Sequence, residues 1–176
     1  MPIESALVIL IPEVEVLVES FRNRYDPSAA LGVPAHVTVL YPFKPPSELT
    51  PDVIKTLTET FSRVSSFDAH FTSRNFFLPN ILYLAPEPDA PFRRLTEIVS
   101  ERFPENPPYG GEFKEIIPHL TVAQADDSLR LGLIATEFDH QAKSSLPINS
   151  PVRQVALLDN ESGRWQVRKK FALGNL

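Results

Sequence analysis

Two short segments of this chain carry the same arrangement of proton-transferring and hydroxyl side chains. Residues 34–39 read Pro-Ala-His-Val-Thr-Val and residues 117–122 read Ile-Pro-His-Leu-Thr-Val, so that His36 and His119 are each followed by an aliphatic residue, a threonine and a second aliphatic residue. With nine threonines and four histidines in 176 residues, two such coincidences arise by chance roughly 1–2% of the time. On a strand, side chains two apart share a face, so His36 and Thr38 point one way while Val37 and Val39 point the other, and His119 and Thr121 repeat the arrangement. An imidazole titrates near neutrality and can give or take a proton. A hydroxyl beside it can hold a phosphate oxygen. Two copies facing each other across a groove would put one histidine on either side of a scissile P–O bond, one as base and one as acid, with Thr38 and Thr121 on the non-bridging oxygens.

The elements that must position these groups follow from the pattern around them. Residues 6–11 form a short apolar run closed by Pro12, as a buried strand does. Val14, Leu17, Val18, Phe21 and Tyr25 then recur at helical spacing, with glutamates early and arginines late. Residues 36–41 read as a strand. Thr50-Pro51 reads as N-cap and first helical residue of a helix whose buried stripe is Val53, Ile54, Leu57, Phe61 and Val64. After the midpoint the order repeats. Residues 67–77 and 81–85 read as strands, residues 90–103 as a helix opened by Asp89, and residues 116–123 as the second histidine strand. A short helix is expected from about residue 126 to 128 onward. Two strands, 152–158 and 165–173, close the chain as a hairpin around 159–163.

Strand, helix, histidine strand and helix thus occur twice, which predicts an α+β fold of duplicated, bilobal form: two antiparallel-rich sheets flank a central cleft, with helices outside. The whole chain, 1–176, is expected to be one bilobal domain with pseudo-repeat halves of about 1–80 and 81–176. The 18 prolines and 6 glycines agree with many short elements and few glycine-rich phosphate loops.

Composition narrows the chemistry. Cysteine is absent, which excludes disulfides, thiolate metal sites and cysteine nucleophiles. A net charge of -5 argues against a broad basic track for nucleic acid, so a nucleotide ligand must be gripped locally. No apolar run approaches the ~20 residues that span a bilayer, and residues 1–5 lack the basic start of a secretory signal. A cytoplasmic monomer without membrane contact is expected.

The run His-Val-Thr-Val-Leu-Tyr-Pro-Phe, the later Leu-Tyr-Leu-Ala-Pro-Glu-Pro and the segment Pro-His-Leu-Thr-Val resemble the 2H phosphoesterase superfamily, in particular its bacterial 2′-5′ RNA ligase-like members. That resemblance, which covers nearly the whole chain, implies a bilobal fold with a central cleft and activity on 2′,3′-cyclic phosphates or 2′-5′ phosphodiester links at nucleotide or RNA ends. Carried over by position, it implies catalysis by His36 and His119 and phosphate contacts from Thr38 and Thr121. No Gly-Lys-Ser/Thr loop is present, so ATP-driven sealing is not expected; hydrolysis without metal or other cofactor is.

Other residues divide between two readings. Tyr41, Phe43 and Tyr109 could stack on a base or simply pack. Arg74, Arg93, Arg94 and Lys114 could meet phosphates or lie solvated. His70 and His140 lack the motif and read as surface residues, Trp165 reads as core, and the loop 104–111 is either a lid or a connector. A zinc site built from the four histidines is disfavoured by their spacing. The rival to catalysis is a binding module that holds a nucleotide or RNA end in the same cleft without turning it over.

Overall fold

A computed structural model describes residues 1–175. Strand β1 (Ser5–Leu10) runs into helix α1 (Pro12–Tyr25) and the short helix α2 (Pro27–Ala30), then strand β2 (His36–Leu40) and helix α3 (Pro51–Ser62). Strands β3 (Phe67–Phe77) and β4 (Ile81–Glu87) are followed by helix α4 (Ala90–Arg102), strand β5 (Leu120–Gln124), helix α5 (Ser128–Ala142) and strands β6 (Ile148–Val152), β7 (Gln154–Asp159) and β8 (Gln166–Ala172). The ends follow local chemistry. Asp26, Thr50 and Asp127 accept hydrogen bonds from backbone N–H groups of the helices that they precede, as caps do. Proline sits in the first turn of α1, α2, α3 and α4, where its missing N–H is not needed. Among the described residues, no helix is long and apolar enough to cross a membrane.

Two four-stranded sheets result, ordered β2-β1-β7-β8 and β5-β4-β3-β6, with every strand pairing antiparallel. The α+β architecture of two antiparallel sheets is therefore as the sequence predicts, and so is the cap at Thr50; of the helix starts left open at 126–128, Asp127 is the cap. The sheets do not divide at residue 80, however. β3 of the first half joins β4, while β7 and β8 of the second half join β1. The larger of two hydrophobic clusters likewise spans both halves, from Leu7, Val37 and Phe61 through Leu84, Leu95 and Val122 to Phe138 and Phe171, and a smaller one joins Ala6, Val8 and Val33 to Ala156 and Leu158.

Three local readings need correction. The stretch 152–158 is two strands in different sheets, because residue 153 is tied to both: its guanidinium donates to the Phe67 carbonyl and Asp68 at the start of β3, and its carbonyl accepts from Leu173 N–H beyond β8. The helix after residue 127 is not short, since Leu131, Ile134, Ala135, Phe138 and Ala142 keep one buried stripe through all 15 residues despite Gly132. Trp165 precedes β8 and is half-buried; its ring meets the edge of Tyr41 at 6.1 Å.

The placement that matters for chemistry is at the sheet edges. β2 ends one sheet, β5 ends the other, and the two lie against each other. Their outer edges would expose unpaired backbone, and helices from the opposite half cover them: α1, which follows β1, packs on β5, and α4, which follows β4, packs on β2. Buried Thr96 of α4 donates its hydroxyl to the Val39 carbonyl at 2.7 Å. Replacing it with valine keeps the volume and deletes the donor. Thr96→Val is expected to lower unfolding free energy by about 1–3 kcal/mol in urea titrations, with Thr96→Ser recovering most of the loss; an unchanged midpoint would show that this tie carries no load.

Candidate functional site

Alternation on β2 buries Val37 and Val39 and leaves His36 and Thr38 half-buried on the opposite face. Around β5, Leu120 and Val122 are buried while His119 and Thr121 are half-buried. Because β2 and β5 are adjoining edges, all four polar side chains line one cleft of about 430 Å³, joined there by Tyr41, Tyr109, Gln124 and Trp165. The structure thus brings together the four motif residues and two of the three aromatics singled out from sequence. Phe43 is the exception. It is buried in the core, edge-on to Phe103 at 5.1 Å, because it faces away from the cleft, toward the helix end at residue 103.

The imidazoles are held alike. His36 Nδ1 lies 2.8 Å from the Pro34 carbonyl and His119 Nδ1 lies 2.7 Å from the Ile117 carbonyl, each two residues back. A carbonyl can only accept, so Nδ1 carries the proton in both rings. Nε2 is then the atom left to exchange protons, as an acceptor in the neutral ring and a donor in the cation. Burial pushes the His36 imidazolium down to about 4; nearby Arg22 and a proton on His119 act in the same direction, partly offset by the Pro34 carbonyl and Asp26. Burial also lowers His119, against the Ile117 carbonyl. At neutral pH the cleft of the free protein therefore holds two neutral rings, and a charge on His119 discourages a second on His36.

Tyr109 reaches the cleft from the loop between α4 and β5. Its backbone sits in the left-handed region at φ 50°, followed by Gly110 and Gly111 at 64° and 80°, a conformation that costs a non-glycine residue roughly 1–2 kcal/mol. Its N–H donates to the Tyr41 carbonyl at 2.6 Å, and its phenol meets the Thr38 side chain. Nearby, the buried Lys44 ammonium binds Glu105 at 2.6 Å and Asn106 at 3.0 Å. The first part of this loop is therefore tethered to the segment that follows β2. On the far wall, the Tyr41 hydroxyl donates to Glu4 at 2.7 Å, and burial together with that carboxylate pushes the phenol up to about 12.

The remaining candidates lie elsewhere. Arg74 is paired with Asp139, Arg93 with Asp89 and Glu115, and Arg94 with Glu97. These three and Lys114 are not among the cleft-lining residues. His70 and His140 are exposed. Among the described residues there is no group of three or more histidine, aspartate or glutamate side chains placed to hold a metal ion.

Known proteins resemble this chain along most of its length. Residues 11–164 match the family described as the 2′-5′ RNA ligase superfamily. A Bacillus pumilus protein named "putative phosphoesterase" is 31% identical over 176 residues, covering 95% of this chain and 96% of its own. Among solved structures, TT0787 of Thermus thermophilus superposes with a TM-score of 0.64 at 20% identity, over 98% of this chain and 100% of its own. E. coli LigT complexed with 3′-AMP gives 0.62 at 17% identity, over 98% and 99%. The last two share the fold.

One support of the site carried no signal that the sequence reading used. Arg22, in the last turn of α1 where arginines are usually solvated, is 2% exposed. It pairs with buried Asp26 at 3.0 Å and donates to the Val33 carbonyl at 2.9 Å, while Asp26 caps α2. Glu15 of α1 accepts from Ala35 N–H at 2.7 Å. The segment that delivers His36 is thus fastened to α1; the i,i+4 spacing of Arg22 and Asp26 was the available clue. Arg22→Met would strand Asp26 without its partner, so a loss of about 3–5 kcal/mol is expected. In a double-mutant cycle, Arg22→Met with Asp26→Asn should cost clearly less than the sum of the single changes; strict additivity would show that the pair is not the fastening.

Proposed function

Because this chain belongs to the 2′-5′ RNA ligase superfamily, a group of 2H phosphoesterases, we propose that it is a phosphodiesterase that opens 2′,3′-cyclic phosphates, or 2′-5′ links, at nucleotide or RNA ends. The observation that carries this reading is the pair of His-x-Thr motifs on adjoining edge strands, with both imidazoles oriented by Nδ1–H and both lining one cleft. In support, the E. coli LigT neighbour is a complex with 3′-AMP, a molecule of the kind that opening of an adenosine 2′,3′-cyclic phosphate releases.

In the proposed step, His36 Nε2 takes a proton from water as the water oxygen forms a bond to phosphorus. The bond from phosphorus to one ribose oxygen breaks, and His119, protonated at Nε2, gives its proton to that leaving oxygen. One water is consumed. His36 ends protonated and His119 neutral, and proton exchange with solvent resets the pair. The roles are assigned by electrostatics. His36 is the ring held down to about 4, and a proton on His119 disfavours one on His36, so the singly protonated pair keeps its charge on His119. Thr38 and Thr121 hydroxyls, with that imidazolium, face the non-bridging oxygens. No metal takes part in this scheme.

The test is turnover of nucleoside 2′,3′-cyclic phosphates in excess chelator. His36→Ala and His119→Ala should each lose about 10²–10⁴-fold in kcat with folding intact. For the free enzyme, kcat/KM should be bell-shaped, with an acid limb near 4 where His36 becomes protonated and an alkaline limb below the ordinary 6.5 where His119 loses its proton. The optimum therefore lies on the acid side of 6.5. Full activity in either alanine variant would overturn the proposal; nucleotide binding without turnover in the intact protein would favour a binding module.

A further inference from the structure

A second cavity adjoins the cleft behind His119. It is about 380 Å³, within the usual range for small-ligand sites, and its walls are Phe77, Ile81, Phe113, Ile116 and Ile117, with Glu115 at the edge. His119 and Tyr109 line both cavities, so the two are continuous around those side chains. The rings are arranged face and edge. Phe77 stacks on Tyr83 at 4.2 Å and presents itself edge-on to His119 at 5.0 Å, while Tyr109 and Phe113 meet edge-on at 5.7 Å.

Two of these residues are in an unusual position for large apolar side chains. Phe113 is 57% exposed and Ile117 39%, and both line a pocket that reaches the proposed acid. Apolar surface kept open next to a reactive group is characteristic of a ligand seat. The polar groups nearby are already engaged: Arg93 donates to the Ile116 carbonyl at 2.8 Å and to Glu115 at 3.2 Å, and also pairs with Asp89. What the pocket offers an occupant is therefore aromatic and aliphatic surface, with little to read the hydrogen-bonding edge of a ring.

We propose that this pocket seats the nucleobase of the leaving group, held by stacking and apolar contact, and that the site accepts all four bases alike. The inference rests on the reading of His119 as the acid, because the group bonded to the oxygen that receives its proton must lie on its side of the phosphate. A ribose carrying that oxygen places its base beside His119, where the pocket opens. Stacking accepts any base because every base has a π-face. Phe113, exposed and outside the proton-transfer pair, supplies the ring that can be removed with least disturbance.

The experiment compares kcat/KM for the four nucleoside 2′,3′-cyclic phosphates with that for glycerol 1,2-cyclic phosphate, which has the same strained ring and no base, in the intact protein, Phe113→Ala and Phe113→Trp. The four nucleotides should agree within about fivefold in the intact protein, since stacking is sequence-tolerant. Phe113→Ala should lower all four by about 5- to 100-fold, the loss typical when a stacking aromatic is removed, chiefly through KM. It should leave glycerol cyclic phosphate unchanged, and Phe113→Trp should restore the nucleotides. A strong preference for one base, an equal fall for the base-free substrate, or no fall at all would overturn the subsite while leaving the phosphodiesterase reading standing. Absence of turnover of every cyclic phosphate and of 2′-5′ dinucleotides by the intact protein would remove both.

Discussion

The meeting of β2 with β5 is the constraint on which the rest of the structure depends. Each is the edge strand of its own sheet, and neither histidine could share a ligand with the other unless those edges adjoined. Edge strands are ordinarily open to pairing with other chains. Here each is covered by a helix that belongs, in chain order, to the other repeat, so the packing that protects an edge also fixes the distance and tilt between the two motifs. Thr96 on the Val39 carbonyl is a polar tie of this crossed arrangement, and Glu15 on the Ala35 N–H fastens the start of β2 to the helix of its own half. The interleaving of the sheets, with β7 and β8 beside β1 and β3 beside β4, makes a relative shift of the two motifs costly, since it would have to break a hydrophobic cluster that spans both halves.

On that frame the electrostatics become asymmetric although the motifs are alike. Both rings are oriented by the carbonyl two residues earlier, both present Nε2, and both are disfavoured as cations by burial. The difference lies underneath. His36 sits near the buried Arg22 and Asp26 pair, whereas the surroundings of His119 are aromatic, Phe77 and Tyr83. A duplicated motif can thus divide the work of base and acid because the supports of its two copies differ. In the proposed reaction, the phosphate anion supplies the negative charge that makes the shared proton favourable in the loaded cleft.

Much of this was legible in the sequence, for identifiable reasons. The alternation of Val37 and Val39 with His36 and Thr38 fixes which face carries the chemistry, because strand side chains have a period of two. Thr50-Pro51 marks a helix start by local hydrogen bonding, which needs no knowledge of the fold, and the Asp126-Asp127-Ser128 run marks another to within a residue. What was not legible depends on contacts between distant segments. Residue 153 divides 152–158 into two strands only because it is anchored both beside β3 and beyond β8. For Phe43 the sequence leaves stacking on a base and packing both open, and packing is decided by a neighbour far along the chain, Phe103. Trp165 reads as core and does pack against the cluster of Ala6, Val8, Val33, Ala156 and Leu158, but its other side lines the cleft beside Tyr41. Arg22 is buried by the segment that it fastens, which no helical periodicity announces.

At the centre of the proposed mechanism are two imidazoles, each with its Nδ1 proton on a backbone carbonyl, neutral in the free protein and sharing one added proton at Nε2 when a phosphate is bound. The most direct measurement is long-range ¹⁵N–¹H NMR of the histidine rings in the free protein at neutral pH and with a nucleoside 3′-phosphate bound. His36 and His119 should both show the Nδ1–H tautomer when free, both should shift on binding, and His119 should gain the Nε2 proton first as pH is lowered. An Nε2–H tautomer at either residue in the free protein, or a ligand that perturbs one ring and leaves the other unchanged, would contradict the two-imidazole mechanism.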